Sequence, residues 1–437
     1  MQLKEDHTSP LSNQEFDKLM AGLSFDWPDK IAVAVSGGGD SMALLLLLAT
    51  WCERNDVALY GLTVDHDLRA ASQDEALQVR EWFLKANVPH QILKWRGNKP
   101  TSNIQSEARK ARYQLMGDWC AEQGIKQLFL AHHMEDQAET FLMRLLRGSG
   151  VDGLSAMECV ADLPVSNLEI QIVRPLLTVN KERLLLCLRD AGQEWISDPS
   201  NKNEDFTRVK VRNLLEQSEI DGLNSVKLSK TAQKMGRVRS LLDDLTNQAE
   251  LDLVRFDVLG YAQIDGNFTE NLHEEIALRL LARILKRVSG GAYVPRYEKL
   301  LSFYQDLKKD AFSGQTLSGC VIFKNKKSQI IFVREAATVK DDIKITKPKQ
   351  ILWDNRFIVN TNDQQGRVVA FAKIQLIELI KDAPNLKEVI YSQFDDHILR
   401  DFVLPTIPCL ILEDGKVILP DLLNCENQPS FSVVLKK

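Results

Sequence analysis

The stretch VAVSGGGDSMALLLLLATW, Val33 to Trp51, decides the fold. An apolar, β-branched run breaks into three glycines and restarts as an unbroken apolar helix, the pattern of a buried strand, a tight turn and a buried helix. Such a turn lets backbone N–H groups approach an anion, and the helix N-terminus adds favourable partial charge. The spacing is neither the G-x-x-x-x-G-K-[ST] of a P-loop nor that of a dinucleotide fingerprint. It places Ser36, Gly37, Gly38, Gly39, Asp40 and Ser41 where a phosphate would sit. A carboxylate beside phosphates repels them unless a cation lies between, so Asp40 implies Mg²⁺ and a nucleoside triphosphate. The structural alternative is a turn with Ser41 as the helix N-cap.

Outward from that stretch, short strand-like runs alternate with helical ones through about Val211: IAVAV (31–35), ALYGLTV (58–64), PHQIL (89–93) and QLFLAHH (127–133). This alternation predicts an α/β domain with a parallel, doubly wound sheet, its strands buried on both faces. From about Gly222 long amphipathic helices take over, beginning with a connecting helix from SVKLSKTAQKMG onward. HEEIALRLLARILKRVSGG follows, then a strand pair, GCVIFK and QIIFVRE, around the turn NKKS. The segment KITKPKQ (344–350) reads as a boundary before short strands and turns. The expected domains are 1–218, catalytic; 219–345, mainly helical; and 346–437, a small α+β unit.

At 437 residues, with 44% hydrophobic and 26% charged residues, the composition is that of a globular protein rather than a disordered or collagen-like one. The N-terminus lacks a secretion signal, and the longest apolar run, Met42–Ala49, is too short to span a membrane. Seven scattered cysteines without a C-x-x-C pair argue against a zinc ribbon, an iron–sulfur site or a disulfide framework and for a reducing, cytoplasmic setting. A net charge of −5 does not announce a nucleic-acid binder, although local patches remain compatible with one.

A second constellation lies in AHHMEDQAETFLMRLLRGSG (131–150). Read as a helix, it puts His132, Asp136 and Glu139 within about 60° on one face, with Arg147 on the same face and His133 turned away into a structural or supporting place. Ionisable groups at the C-terminal end of a parallel strand sit where open α/β sheets bind ligands.

SGGGDS after a strand resembles the motif of the N-type ATP pyrophosphatases, which cleave ATP between its α and β phosphates. H-H-x-x-D-Q-x-E-T followed by R-G-S-G resembles the tRNA(Ile)-lysidine synthetase family in particular, with Glu135 where Asp is common. Further matches follow in order. VDHDLR (64–69) carries His66, with Asp67 in place of the usual glycine; SEARKARYQLM (106–116) carries Arg109 and Arg112. RPLL (174–177) and DPSN (198–201) also match, and TRVKVRN (207–213) keeps Arg208 and Arg212 in the R-x-x-x-R spacing although Val209 and Lys210 depart. The later regions resemble the C-terminal domains of longer bacterial members more loosely.

The resemblance implies that the C2 oxygen of the wobble cytidine in a CAU-anticodon tRNA(Ile) attacks the α-phosphate of ATP, after which L-lysine displaces AMP to give lysidine. It implies ATP contacts from the glycine loop, His66 and Arg109, and catalytic roles for Asp40, His132, Asp136 and Arg112. Mg²⁺ falls to Asp40 and Asp136, and lysine to Asp136, Glu139, Arg208 and Arg212. An amine nucleophile must lose its proton, and His132 is the candidate base, with a positioning role for ATP equally compatible. Lys286, Arg287, Arg296, Lys299, Lys324, Lys326 and Lys327 are candidates for the tRNA backbone. The rivals are a tRNA thiolase on the same ATP-cleaving domain and a non-enzymatic tRNA-binding protein on this scaffold. Whether the chain forms a homodimer is left open.

Overall fold

The computed structural model describes residues 9–436 apart from 24, 26, 67–71, 98–103, 165–168, 198–206, 219, 221, 292–293, 310–311, 348, 362–363, 373–374, 378, 380–385, 395 and 424–429. Asp67 and the DPSN segment therefore lie outside the described residues. Internal contacts divide the chain into two units, residues 1–240 and 241–437.

In the first unit, six strands form one sheet: β1 (Lys30–Ala34), β2 (Ala58–Asp65), β3 (His90–Lys94), β4 (Gln127–Phe129), β5 (Val160–Asp162) and β6 (Gln171–Val173). Their order is β3-β2-β1-β4-β6-β5, parallel except for β5. The parallel, doubly wound reading is thus realised, with an antiparallel strand added at one edge. The helices are α1 (Asn13–Ala21), α2 (Gly39–Asn55), α3 (Ser72–Lys85), α4 (Ile104–Glu122), α5 (Met134–Leu145), the one-turn α6 (Val151–Leu154), α7 (Lys181–Asp190) and α8 (Thr207–Gln217).

Residue alternation along β1 explains the layering, because successive side chains in a strand point to opposite faces. Ile31, Val33 and Val35 join the core built with α1, α2, α3 and α7, whereas Ala32 joins the core built with α4 through Tyr113, Met116 and Cys120. With both faces covered, the central strands β1 and β4 are buried along their middles, whereas the edge strands β3 and β5 carry polar, partly exposed residues.

Helix α9 (Ser225–Leu253), 29 residues long, is the expected connecting helix and carries the chain from the first unit into the second. The second unit is richer in strands than its helical periodicity suggested. A sheet in the order β7-β8-β11-β10-β9 is made of β7 (Val254–Phe256), β8 (Ala262–Asp265), β9 (Gly314–Leu317), β10 (Cys320–Lys324) and β11 (Gln329–Arg334). The expected pair 320–324 and 329–334 is its centre. After the short α10 (Phe268–Asn271), α11 (Glu274–Ser289) and α12 (Tyr297–Leu307) cover one face of this sheet. The other face, with Phe323, Ile331 and Val333, shares a core with Phe371, Ile390 and Val403, so residues on either side of position 345 pack together. A seven-stranded sheet between Ile343 and Leu435 completes the unit.

Candidate active site

The strand order reverses between β1 and β4, and open α/β sheets bind ligands in the crevice outside the C-terminal ends of such strands. The glycine loop follows β1, and the histidine pair follows β4.

Gly38, not Ser41, is the N-cap of α2. Ser41 lies inside the first turn, where its hydroxyl donates to the Gly38 carbonyl at 2.8 Å and accepts the Ser36 N–H at 3.2 Å. Gly37 has φ of +87°, and a Cβ there would come within 2.8 Å of Ile196 and Val79 side chains. A Cβ on Gly39 would lie 2.6 Å from Leu185 of α7. The loop is therefore pressed against its own scaffold, and the first N–H groups of α2 are turned outward for an acceptor.

Helix α5 begins at Met134, so the helical spacing taken for His132 and the placing of Arg147 on the same helix do not apply. Both histidines are in the extended approach to the helix, and Arg147 lies past its end at Leu145. Asp136 and Glu139 do share a helical face.

His133, expected in a structural or supporting place, is buried among the carboxylates of the loop and of α5. Its Nε2 lies 3.5 Å from Asp40 and 3.4 Å from Asp136, its Nδ1 lies 2.9 Å from Glu135, and its N–H donates to Asp136 at 3.0 Å. Burial alone would push its pKa down; the hydrogen bonds to Asp40 and Glu135 and the charge of Asp136 outweigh it and push it up to about 10. The imidazolium in turn holds both aspartates below their ordinary range in spite of burial. Lys181, at the start of α7, adds its ammonium 3.4 Å from Asp40, and its backbone N–H donates to Glu135 at 3.0 Å. Glu135 thus ties the N-termini of α5 and α7 together through His133.

Arg208 and Arg212, four residues apart on α8, both reach Glu139, at 2.5 and 2.7 Å, and Arg208 also reaches Asp136 at 2.5 Å. The groups expected to hold opposite ends of lysine hold each other in the structure. His132 is pushed down to about 3 by burial and by the charges of Arg174, Arg109 and Arg208, against the pull of Asp136. It is neutral at pH 7. Arg109 and Arg112 project from α4, which also carries Tyr113, their guanidiniums 5.0 and 5.5 Å from its ring centroid. His66, just past β2, meets Trp95 edge-on at 5.9 Å.

Among the described residues no group of three His, Cys, Asp or Glu side chains forms a metal cage. A two-carboxylate site that shares its ion with substrate phosphates fits instead. Asp40 and Asp136 converge on one nitrogen, and Oδ1 of Asp40 is buried without a partner.

The family model described as the PP-loop domain matches residues 9–246. The tRNA(Ile)-lysidine synthase of Wolbachia pipientis wMel is 38% identical over 374 residues, covering 83% of this chain and 85% of the relative. That of Ruegeria pomeroyi is 37% identical over 361 residues, covering 82% and 84%. The chain belongs to the tRNA(Ile)-lysidine synthase family. Among solved structures, the U34-tRNA thiolase of Methanococcus maripaludis with its 4Fe-4S cluster aligns with a TM-score of 0.44 at 15% identity, over 52% of this chain and 78% of that one. Glu135 and Arg174 stand inside quoted motifs but were given no role there, and Lys181 lies outside every motif read. The one signal for Arg174 was RPLL itself.

Proposed function

We propose that this chain is a tRNA-modifying ligase that uses ATP to convert the wobble cytidine of a CAU-anticodon tRNA(Ile) to lysidine, releasing AMP and pyrophosphate. What carries the reading is the junction of a PP-loop and an Asp40–His133–Asp136 cluster at the switch point of the sheet, in a chain of this family.

In the first step the C2 oxygen of the cytidine forms a bond to the α-phosphorus of ATP, and the α–β bridging bond breaks to release pyrophosphate. In the second, the ε-amine of lysine bonds to C2, and AMP leaves with the oxygen while the amine proton passes to a base or to solvent. The loop amides and Lys181 hold the departing pyrophosphate, and Arg112 faces the α-phosphate. Asp40 and Asp136 would hold Mg²⁺, which when bound would supply charge neutralisation for the phosphates. His132, neutral, offers its free lone pair to the incoming amine or orients ATP. Asp136 and Glu139 receive the ammonium end of lysine, and Arg208 or Arg212 its carboxylate, once the ligand exchanges with the existing pairs. Residues 1–218 form the catalytic domain, and 219–345 and 346–437 hold the body of the tRNA. The substrates place the reaction in the cytoplasm, and among the described residues no helix is long and apolar enough to cross a membrane. A thiolase reading would ask for a paired-cysteine carrier, and the sequence has no C-x-x-C.

The test is incorporation of labelled lysine into an unmodified CAU-anticodon tRNA(Ile) transcript with ATP and Mg²⁺, beside a transcript lacking the wobble cytidine. Label that depends on both ATP and that cytidine is the expected result. A transcript that is adenylated but never takes lysine would leave another nucleophile to be found.

A further inference from the structure

Alternation along β4 and β6 divides the site into two sides. Leu128 and Leu130 pack with Tyr113 and Met116 of α4, whereas Phe129 packs in the core of α2. His132 continues the first series and His133 the second. Along β6, Ile170 and Ile172 belong to the α4 core and Val173 to the other, so Arg174 extends onto the α4 side. The Arg112 guanidinium lies 5.5 Å from the Tyr113 ring centroid, and the charge of Arg174, like that of Arg109, bears on His132.

The two sides differ in charge balance. On the glycine-loop side Asp40 and Glu135 answer His133 and Lys181; on α8, Arg208 and Arg212 are answered by Glu139 and Asp136. Arg109, Arg112 and Arg174 have no ion-pair partner among the described residues. Arg174 is 8% exposed; its Nη1 donates to the Glu158 carbonyl at 2.8 Å, and its Nε is buried without a partner. Nδ1 of His132 is buried without a partner as well. An unpaired buried guanidinium carries a large desolvation cost, which an anion offsets. Arg109 is exposed, Arg112 half-buried and Arg174 buried, so the cations lead from the surface inward. With pyrophosphate on the glycine loop, on the other side of the sheet, Arg174 still lacks a counter-charge, and Arg109, to which the resemblance gave an ATP contact, stands exposed at the rim. A nucleotide drawn out of an anticodon loop brings a phosphodiester on either side of its base, which follows it to the mouth of the site.

We propose that Arg174, with Arg109 at the rim, forms a second phosphate pocket on the α4 side of the sheet that seats a tRNA backbone phosphodiester next to the reacting cytidine. This rests on the tRNA reading above. The guanidinium fork matches two phosphate oxygens, and the Glu158 carbonyl fixes its orientation.

The experiment measures binding of unmodified tRNA(Ile) to the full chain over a range of salt concentrations, with KM for ATP and for lysine on the same preparations. Arg174→Gln is expected to weaken tRNA binding about tenfold and to lower the slope of log K against log salt by about one. Arg174→Lys keeps the charge and is expected to restore the slope. Arg109→Gln, at an exposed position, is expected to lower the slope similarly and decides the matter should Arg174→Gln fail to fold. Unchanged tRNA affinity and slope in these variants would overturn the proposal, as would a rise in KM for ATP or lysine equal to the loss in tRNA affinity. Failure of the unsubstituted chain to bind tRNA at all would instead strike the tRNA reading itself.

Discussion

Two clusters in this molecule share a core, one buried carboxylate between two arginines, with Asp136 added on one arginine of the first, and they differ in the burial of the cations. In the second unit Asp354 accepts from Arg334 at 2.9 and 3.0 Å and from Arg356 at 2.6 Å, and Arg356 goes on to the Thr406 carbonyl at 2.6 Å. Arg334 and Arg356 are 12% and 1% exposed, and burial pushes the Arg356 pKa down to about 10. In the first unit Glu139 is equally buried, but Arg208 and Arg212 are 36% and 31% exposed. Cations sealed from water and already paired to a buried carboxylate hold structure together. Cations half in water can release their carboxylate to a ligand at modest cost, since solvent takes up part of the charge.

Breaking the contrast should produce effects of different kind. The largest is expected outside both clusters, at Asp40: Asp40→Ala should lower tRNA-dependent pyrophosphate release by about 10³-fold while the protein still folds, since its partners His133 and Lys181 serve phosphate chemistry. Loss of fold in thermal melts would count against that. Asp354→Ala, which leaves two sealed guanidiniums without a counter-charge, should cost about 3–5 kcal/mol in urea unfolding while the folded fraction keeps its turnover. Glu139→Ala should reduce lysine incorporation by about 10- to 100-fold and spare AMP transfer; equal loss of both steps would erase the distinction between the clusters.

The smallest effect concerns a neutral buried group. His90 stacks on Phe83 with ring centroids 4.2 Å apart, and burial, aided by Arg80, pushes its pKa down from 6.5 to about 4. Between those values the unfolded chain binds a proton that the folded chain refuses. The contribution to stability is therefore complete above pH 6.5 and is lost as pH falls toward 4, at about 1 kcal/mol per pH unit. His90→Gln should flatten that part of the stability curve measured by urea titration.

Much of the first unit was legible because its signals are local. A β-branched run, a glycine turn and an apolar helix mark β1 and α2, and SGGGDS marks the loop. Asp136, Glu139, Arg208 and Arg212 were found through spacing and resemblance, although their mutual pairing was not, since it depends on how α8 packs on α5. The contacts of His133 with Asp40 and Asp136 were not legible, for a definite reason. A 3.6-residue period was carried across a segment that is extended up to Met134, where the period is two. Lys181 and Arg174 reach the site only because β6 lies beside β4, and sequence distance hides that neighbour relation. In the second unit the helices α11 and α12 were evident from their amphipathic periodicity, but short strands such as Val254–Phe256 offer too few residues for alternation to register.

The passage from Leu128 to His133 has a consequence for how this enzyme family can change. Two neighbouring side chains there serve different partners, one facing the arginines and the other the phosphate loop, and only the length of the strand keeps them sorted. Removing or adding one residue between Phe129 and His132 would send each imidazole to the other's place while leaving the composition almost untouched. A conservative substitution at an apolar position of this stretch leaves that sorting intact; an insertion or deletion does not.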